Sequence, residues 1–199
     1  KIPGGVPITV STTQVFAENF NAWKSQIPST QSPSKSQAPS SKSQIEILIE
    51  DAGHEDEKLG ALGAVAKWIG EESVKDDVLL LAGDNYVGFS LEAFVKEFRG
   101  NPLFAAREVA SIEEAKKFGV VIPAKMNDPH PIKKVVRKAI GFEEKPANPQ
   151  STLVGTGVNL LPKAVLPLLL DFAKQHPDNI GRLYSHRIFV KKIDVAYIT

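Results

Sequence analysis

The stretch that decides the fold runs from Leu79 to Gly88 and reads LLLAGDNYVG. It continues a nearly unbroken apolar run from Asp77 to Ala82, which is typical of a central parallel strand covered on both faces. Gly83, Asp84 and Asn85 end that run abruptly. Since ligands of open α/β sheets bind beyond the carboxyl ends of the strands, the pattern predicts a binding site here.

Asp84 is the first candidate for a chemical role. A carboxylate at the end of a strand is suited to Mg²⁺, a hard cation that prefers oxygen ligands and phosphates. Gly83 has no side chain, so a nucleotide could approach the backbone closely. The alternative is that Asp84 and Asn85 only form a turn after the strand, and the pattern alone favours that alternative.

Composition limits the class of protein. The chain has 199 residues, of which 42% are hydrophobic, and it has no cysteine. It can therefore bury a core without disulfides, and cysteine nucleophiles are excluded. The formal net charge of +1 gives no case for nucleic-acid binding. No apolar run approaches the roughly 18–20 residues of a membrane span, and no signal peptide is evident. We expect a cytoplasmic α/β protein that needs neither membrane nor nucleic acid.

Strands and helices alternate along most of the chain, which predicts a doubly wound, mostly parallel sheet with some antiparallel pairing late in the chain. Residues 28–44 are rich in Ser, Pro, Gln and Lys and predict a mobile surface loop. The predicted strands are Val6–Val10, Ile45–Ile49, Asp77–Ala82, Leu103–Val109, Val120–Ile122, Val135–Phe142, Leu153–Leu161 and Val195–Ile198.

A second candidate site is GFEEKP, from Gly141 to Pro146, where two carboxylates and a lysine leave a strand together. The Lys145 ammonium can neutralise a phosphate as a compact point charge. A carboxylate such as that of Glu144 can accept hydrogen bonds from hydroxyl groups. Taken alone, such a segment is more often an exposed charged loop.

Two glycine-containing segments are weaker candidates. In VGTGVNLLP, from Val154 to Pro162, Gly155 and Gly157 indicate a close approach of ligand or backbone, and alternation places Asn159 on the face of Gly157. A glycine bulge explains the same pattern equally well. In residues 58–63, KLGALG, glycines at a helix start could expose amides to an anionic or polar ligand, although a flexible connection is the commoner explanation. Neither segment matches a dinucleotide or Walker fingerprint.

Taken in order, these segments resemble the sugar-1-phosphate nucleotidyltransferase family, above all glucose-1-phosphate thymidylyltransferases and their archaeal-type relatives. The order and spacing carry the resemblance more than any one motif does. The resemblance implies a Rossmann-like three-layer nucleotide-binding fold of the nucleotide-diphospho-sugar transferase type. The resembling segments are EKLGALGA (57–64), LLLAGDNYV (79–87), AKKFGVV (115–121), GFEEKP (141–146) and GTGVNLLP (155–162).

The resemblance also implies a function. A nucleotidyl group would pass from a nucleoside triphosphate to a sugar-1-phosphate with the help of Mg²⁺, giving a nucleotide sugar and pyrophosphate. Transfer from dTTP or UTP to glucose-1-phosphate is the expected case, and assembly as a homo-oligomer is left open. Asp84 would be a catalytic metal ligand and Lys145 would hold the sugar phosphate. The further substrate-binding residues would be Leu59, Gly60 and Gly83 at the base and ribose, Asn85, and Gly119, Glu144, Gly157 and Asn159 around the sugar.

Two departures from the family pattern leave alternatives open. The family's glycine-rich loop with its arginine, followed by a Pro-Lys motif, does not precede Val6, and its second metal-binding aspartate would fall beyond Thr199. We therefore expect a single domain over residues 1–199 that is incomplete at both ends. A catalytically inactive regulatory or binding relative is the main alternative. A glycosyltransferase would require an Asp-x-Asp motif, and a nicotinamide-dependent reductase would require the missing fingerprint.

Overall fold

The chain forms two compact units, residues 1–60 and residues 61–199. The computed structural model describes residues 6–27, 45–50, 59–124, 136–178, 180–186 and 195–198, the last of these by their backbone alone. The Ser- and Pro-rich residues 28–44 lie outside the described residues, so their loop character stays a prediction. The expectation of a single domain also stays a prediction.

The first unit is built on two parallel strands, β1 (Ile8–Thr13) and β2 (Ile45–Glu50). The Ser11 hydroxyl donates to the Glu50 carboxylate at 3.0 Å, across the two strands. A single 3₁₀ turn then leads into helix α1 (Ala17–Gln26). Both strands were predicted, the first of them a few residues too early.

The second unit contains a six-stranded sheet. Its strands are β3 (Val78–Leu81), β4 (Leu103–Glu108), β5 (Gly119–Pro123), β6 (Arg137–Glu144), β7 (Leu153–Leu161) and β8 (Val195–Ile198). Their order in the sheet is β3-β7-β4-β8-β6-β5, with a further pairing between β7 and β5. Strands β5 and β6, which were both predicted, are antiparallel partners.

The prediction of a mostly parallel sheet is not confirmed. Among the described strands, only β1–β2 and β4–β8 pair in parallel, and the other pairings are antiparallel. Strand β3, predicted to be central, lies at one end of its sheet beside β7. The reason is that β7 lies between β3 and β4, which point in the same direction. Alternating strands and helices therefore coexist with antiparallel neighbours, and the α/β class itself is confirmed.

The described part of the chain after β2 contains five α-helices. In chain order they are α2 (Gly60–Glu71), α3 (Leu91–Lys96), α4 (Ile112–Ala115), α5 (Leu166–Ala173) and α6 (Gly181–Ser185). The hydroxyls of Ser90 and Ser111 cap α3 and α4, each accepting an amide hydrogen bond from the first turn. The core joins sheet and helices and includes Leu62, Phe104, Leu161, Leu169 and Tyr184.

Helices of the described part of the chain fall short of the length and apolar character that a membrane crossing demands. The expected cytoplasmic location and the homo-oligomer left open above stay predictions.

Candidate active site

Strand β7 carries a bulge at the position of its glycines. Three residues, Thr156–Val158, lie opposite the single residue Ala105 of β4. The Thr156 hydroxyl donates to the Ala105 carbonyl at 3.0 Å and holds the bulge against the neighbouring strand. Gly157, at its centre, has a φ of +74°, which favours glycine. The glycine bulge that the sequence left open as an alternative is therefore present.

The turn after β3 packs on this bulge. The Asn85 side-chain amide donates to the Thr156 carbonyl at 2.7 Å, and the Ala82 N–H donates to the Gly157 carbonyl at 3.0 Å. A Cβ on Gly157 would lie 2.7 Å from Asn85 Nδ2 and 2.8 Å from Ala82 Cβ. At such distances a side chain at residue 157 would force the turn to shift, so glycine lets the turn approach β7 this closely.

Asp84 lies in this turn, past the carboxyl end of β3. Its side chain is exposed, and within the described residues no donor contacts its carboxylate. A Cβ on the preceding Gly83 would have no atom within 4 Å, so the space beside Asp84 is open. The Asp84 carboxylate is therefore accessible to a ligand.

The second half of the site lies where β5 begins and β6 ends. Gly119 and Glu144 are direct partners across these strands. A Cβ on Gly119 would lie 3.1 Å from Glu144 Oε2 and would overlap the Phe142 ring. A Cβ on Gly155 of β7 would lie 3.4 Å from the same ring. Carboxylate and ring therefore fill the space above Gly119, and the ring extends to β7.

Strand β7 thus links the two halves of the site. The Asn85 turn rests on Gly157, and the Phe142 ring rests beside Gly155. Two residues of a strand span about 6–7 Å, so the two contacts are close together. Two segments that are distant in the chain, the turn with Asp84 and the strand end with Glu144, converge on one short piece of backbone.

Lys145 leaves β6 in an unusual conformation. Its φ is +44°, which is uncommon for a residue that carries a Cβ, and its N–H donates to the Phe118 carbonyl at 3.0 Å. Its side chain is exposed. Strained backbone of this kind is concentrated at functional sites, where the surrounding structure maintains it.

Glu144 is the carboxylate of this site whose protonation is perturbed. Burial raises the pKa of the Glu144 carboxyl above its ordinary value, while the nearby charges of Lys145 and Arg182 lower it. A half-buried carboxyl with opposing cations is a recurring feature of binding and catalytic sites.

Three residues of this neighbourhood were not identified from the sequence. The Tyr184 ring of α6 is buried and its centroid lies 5.6 Å from that of Phe142. Arg182, on the same helix, forms an ion pair with Asp178 at 3.4 Å. Phe142 could have been found, because it lies two residues before Glu144 and so faces the same way. No sequence signal indicates that α6 lies beside β6.

The start of helix α2 corrects one expectation. Leu59 and Gly60 belong to the first unit, where Leu59 is 38% exposed and Gly60 begins the helix. The amides of residues 61–63, however, donate to the carbonyls of Asp178 and Pro177, each at 3.0 Å. The prediction that this helix start offers its amides to a ligand is therefore wrong for residues 61–63.

Asn159 is buried in β7, where it pairs with Leu80 of β3 and Phe104 of β4. The expectation that it shares a face with Gly157 relied on the strict alternation of an extended strand. The positive φ of Gly157 interrupts that alternation. A role for Asn159 in the sugar pocket stays a prediction.

The described residues contain no group of three or more His, Asp or Glu side chains that could hold a metal by themselves. Mg²⁺ does not require such a group, because it is usually bound by one or two carboxylates together with phosphate oxygens and water. The exposed Asp84 carboxylate fits a site of that kind.

Comparison with known proteins identifies relatives. The family model described as nucleotidyl transferase matches residues 14–198. A glucose-1-phosphate thymidylyltransferase of Streptomyces griseus is 34% identical over 91 residues, which are 46% of this chain and 23% of that protein. A glucose-1-phosphate adenylyltransferase of Thermomicrobium roseum is 33% identical over 105 residues, 51% of this chain and 22% of that protein. The matched segments span less than a quarter of either relative.

A solved structure shows the same fold. The crystal structure of apo-UDP-glucose pyrophosphorylase aligns with a TM-score of 0.62, covering 98% of this chain and 73% of that chain. The two sequences are 14% identical, so this likeness concerns the fold alone. Because the family model matches nearly the whole chain, the protein belongs to the nucleotidyl transferase family, which includes the sugar-1-phosphate nucleotidyltransferases named above.

Proposed function

We propose that the full-length protein transfers a nucleotidyl group from a nucleoside triphosphate to a sugar-1-phosphate, giving a nucleotide sugar and pyrophosphate. The observation that carries this proposal is the convergence on β7. The turn with Asp84 contacts Gly157, and the strand end with Glu144 and Lys145 is joined to Gly155 through Phe142. These contacts support a shared site, in which Asp84 would be an oxygen ligand for a metal and Lys145 a cation for a phosphate.

The reaction needs positioning more than covalent catalysis. An oxygen of the sugar phosphate attacks the α-phosphorus of the nucleotide and forms a new P–O bond. The bond between that phosphorus and the bridging oxygen of pyrophosphate breaks, and pyrophosphate leaves with the electron pair. No general base is needed, because the attacking phosphate is already ionised. The protein has to align two anions and offset their repulsion.

Asp84 and Lys145 are the residues to which we assign this task. Asp84 would hold Mg²⁺, and when bound the ion supplies positive charge that offsets the charge of the transferred phosphate. Lys145 would hold the sugar phosphate. Its side chain is exposed and its backbone is fixed by the hydrogen bond to Phe118, so the ammonium can reach a ligand from a rigid strand end.

The remaining residues would shape the pockets. Glu144, whose carboxylate lies over Gly119, would accept hydrogen bonds from sugar hydroxyls. Asn85 would fix the turn that carries Asp84 by its bond to β7. Gly157 and Asn159 are assigned to the sugar pocket, and Leu59, Gly60 and Gly83 to the base and ribose.

Transfer from dTTP or UTP to glucose-1-phosphate is the specific reaction we propose. It rests on the similarity to the thymidylyltransferase of Streptomyces griseus and on the GDN turn at residues 83–85. Because a glucose-1-phosphate adenylyltransferase is also similar to this chain, ATP is the main alternative nucleotide to test.

A pyrophosphate-release assay on the full-length protein tests the proposal. Each of the common nucleoside triphosphates is combined with glucose-1-phosphate, or with another sugar-1-phosphate, in the presence of Mg²⁺. We expect release only when triphosphate, sugar phosphate and Mg²⁺ are all present, and fastest with dTTP or UTP. Binding of both substrates without release for any pair would instead support an inactive binding relative.

A further inference from the structure

The Phe142 ring and the Glu144 carboxylate lie over the same point of the sheet. A Cβ on Gly119 would lie 2.5 Å from Cε1 of the Phe142 ring and 3.1 Å from Oε2 of Glu144, and Cζ of the ring is closer still. Phe142 and Glu144 are two residues apart on β6, so their side chains project from one face of the strand. The outer edge of the ring and the carboxylate are therefore neighbours in space.

The same ring reaches across to strand β7. A Cβ on Gly155 would lie 3.4 Å from Cε2 and 3.5 Å from Cζ of the Phe142 ring. Gly119 of β5 and Gly155 of β7 contribute no side chain at these positions. The outer atoms of the Phe142 ring therefore fill space that side chains of two other strands would otherwise occupy.

Two buried rings support Phe142 from the core. The Phe104 ring meets it edge-on with the centroids 5.8 Å apart, and the Tyr184 centroid lies 5.6 Å away. Phe104 and Tyr184 are buried, whereas Phe142 is only partly buried. Because closely packed side chains resist displacement, the Phe142 ring is held in place at the edge of the core, beside the Glu144 carboxylate.

We propose, on the basis of the function proposed above, that Phe142 determines which sugars the site accepts. Its ring limits the size of the group that can reach Glu144, so a sugar-1-phosphate has to present a hydroxyl group there. A sugar that presents a bulkier group at that position, such as an acetamido group, is discriminated against. Phe142 is then a specificity-determining residue and not only a part of the core.

The physical reason is the room that a hydrogen bond to Glu144 leaves. A hydroxyl that donates to a carboxylate brings its oxygen to within about 2.5–3.0 Å of the acceptor. A group bound at Oε2, the oxygen that faces Gly119, lies beside the edge of the Phe142 ring as well. An acetamido group needs more space, and its carbonyl oxygen finds no hydrogen-bond donor on the ring. The bulkier group therefore meets both a steric and a desolvation cost.

The first test needs no substrate. Leucine at residue 142 lacks the Cε and Cζ atoms that approach Gly119, and the φ of Gly119 lies outside the left-handed region. The cost of an alanine at residue 119 thus comes from its neighbours. In the full-length protein, Gly119→Ala should lower the urea midpoint of unfolding, and it should lower it clearly less in a Phe142→Leu background. An equal shift in both backgrounds overturns the proposal.

Phe172→Leu provides the matched background. Phe172 of α5 is also a partly buried phenylalanine that packs against the same core, and its ring contacts His176 and His186. Gly119→Ala should shift the midpoint as much in the Phe172→Leu background as in wild type. A shift that shrinks equally in both Phe→Leu backgrounds would show a general loosening of the core and would also overturn the proposal.

The second test measures sugar binding by isothermal calorimetry on the full-length protein. Glucose-1-phosphate is compared with four analogues in which the hydroxyl at C2, C3, C4 or C6 is replaced in turn by an acetamido group. For at least one analogue, the ratio of its dissociation constant to that of glucose-1-phosphate should fall by about 10-fold in Phe142→Leu. Phe172→Leu should keep the wild-type ratios. Should Phe142→Leu not fold, Phe142→Met, with a flexible side chain in place of the ring, is measured instead.

The outcomes separate this inference from the proposed function. If wild type binds glucose-1-phosphate and the folded residue-142 variant leaves every ratio unchanged, the proposed function stands and the specificity role of Phe142 is overturned. If wild type binds no sugar-1-phosphate, the proposed function fails and the specificity role fails with it. The urea comparison then still shows whether the ring fills the space over Gly119.

Discussion

The side-chain amide nitrogen of Asn85 lies too close to Gly157 to leave room for a Cβ there. The two positions are 2.7 Å apart, and the same nitrogen donates to the carbonyl of Thr156, also at 2.7 Å. The turn that carries Asp84 is therefore fixed to β7 by one hydrogen bond and one missing side chain. The position of Asp84 depends on residue 157 although the two are distant in sequence.

Replacing Gly157 by alanine should disturb both fold and activity. The new Cβ meets Asn85 and Ala82 below 3 Å, and the φ of +74° disfavours any residue with a Cβ. We expect a loss of about 1–3 kcal/mol in the free energy of unfolding, measured by urea denaturation. Gly70→Ala is the matched control: no atom lies within 4 Å of its Cβ position in α2, so it should be neutral or slightly stabilising. Equal stability of the two variants would show that the turn does not depend on this contact.

Gly119 and Gly155 should tolerate alanine differently. A Cβ on Gly119 would overlap the Phe142 ring and approach Glu144 Oε2 to 3.1 Å, whereas a Cβ on Gly155 would touch the same ring at 3.4 Å. Gly119→Ala should therefore displace Glu144 and weaken sugar-phosphate binding by about 10-fold or more, as expected when a charged hydrogen bond is misplaced. Gly155→Ala should weaken sugar-phosphate binding much less. Isothermal calorimetry with glucose-1-phosphate measures both, and a greater loss for Gly155→Ala would contradict the geometry.

Removal of the Lys145 ammonium should affect one substrate more than the other. Lys145→Ala and Lys145→Gly should both weaken sugar-phosphate binding about 10- to 100-fold, the equivalent of one charged hydrogen bond, and leave nucleotide binding nearly unchanged. Calorimetry with each ligand decides this, and equal losses for both ligands would reject the assignment. Because φ is +44°, Lys145→Gly should also be about 1 kcal/mol more stable than Lys145→Ala.

Glu144 should make the stability of the fold depend on pH. Burial raises the pKa of its carboxyl in the folded state, so the folded protein keeps a proton at pH values where the unfolded chain has already released it. The stabilising effect of that proton is complete below the unfolded pKa and is lost as pH rises through the folded pKa. Glu144→Gln should accordingly match wild type at low pH and exceed it near neutral pH in urea unfolding, while its affinity for sugar phosphate falls. A wild type that is more stable than Glu144→Gln at neutral pH would contradict this account.

Local sequence patterns predicted the strands better than their arrangement. The boundaries of β7 and β8 follow directly from apolar runs bounded by Pro, Gly or charged residues. The insertion of β7 between β3 and β4 could not be predicted, because strand order is set by packing between distant segments and leaves no periodic signal. The predicted alternation of strands and helices is confirmed, whereas the mostly parallel sheet that was inferred from it is not.

For the site too, residues within a local motif could be predicted, and residues brought close by packing could not. Asp84 and Glu144 were found because a carboxylate at the end of a strand is a typical ligand for a metal ion or a hydroxyl group. Arg182 was missed because a single arginine in a polar segment has no distinguishing pattern. Its helix is brought to the site by packing between distant segments, since α6 lies beside β6 and Tyr184 packs on Phe142.

We propose that the Asp84 turn and the Lys145 strand end serve one metal-dependent site for nucleotidyl transfer. The most direct test is pyrophosphate release by the full-length protein and its Asp84→Asn variant, measured with Mg²⁺, sugar-1-phosphate and the best nucleotide. The Asp84 carboxylate is exposed and bonded to no donor among the described residues, so the variant should keep wild-type thermal stability. We predict at least a 100-fold loss of rate, since a metal contributes several kcal/mol to such reactions. Turnover by folded Asp84→Asn at near wild-type rate would contradict the account.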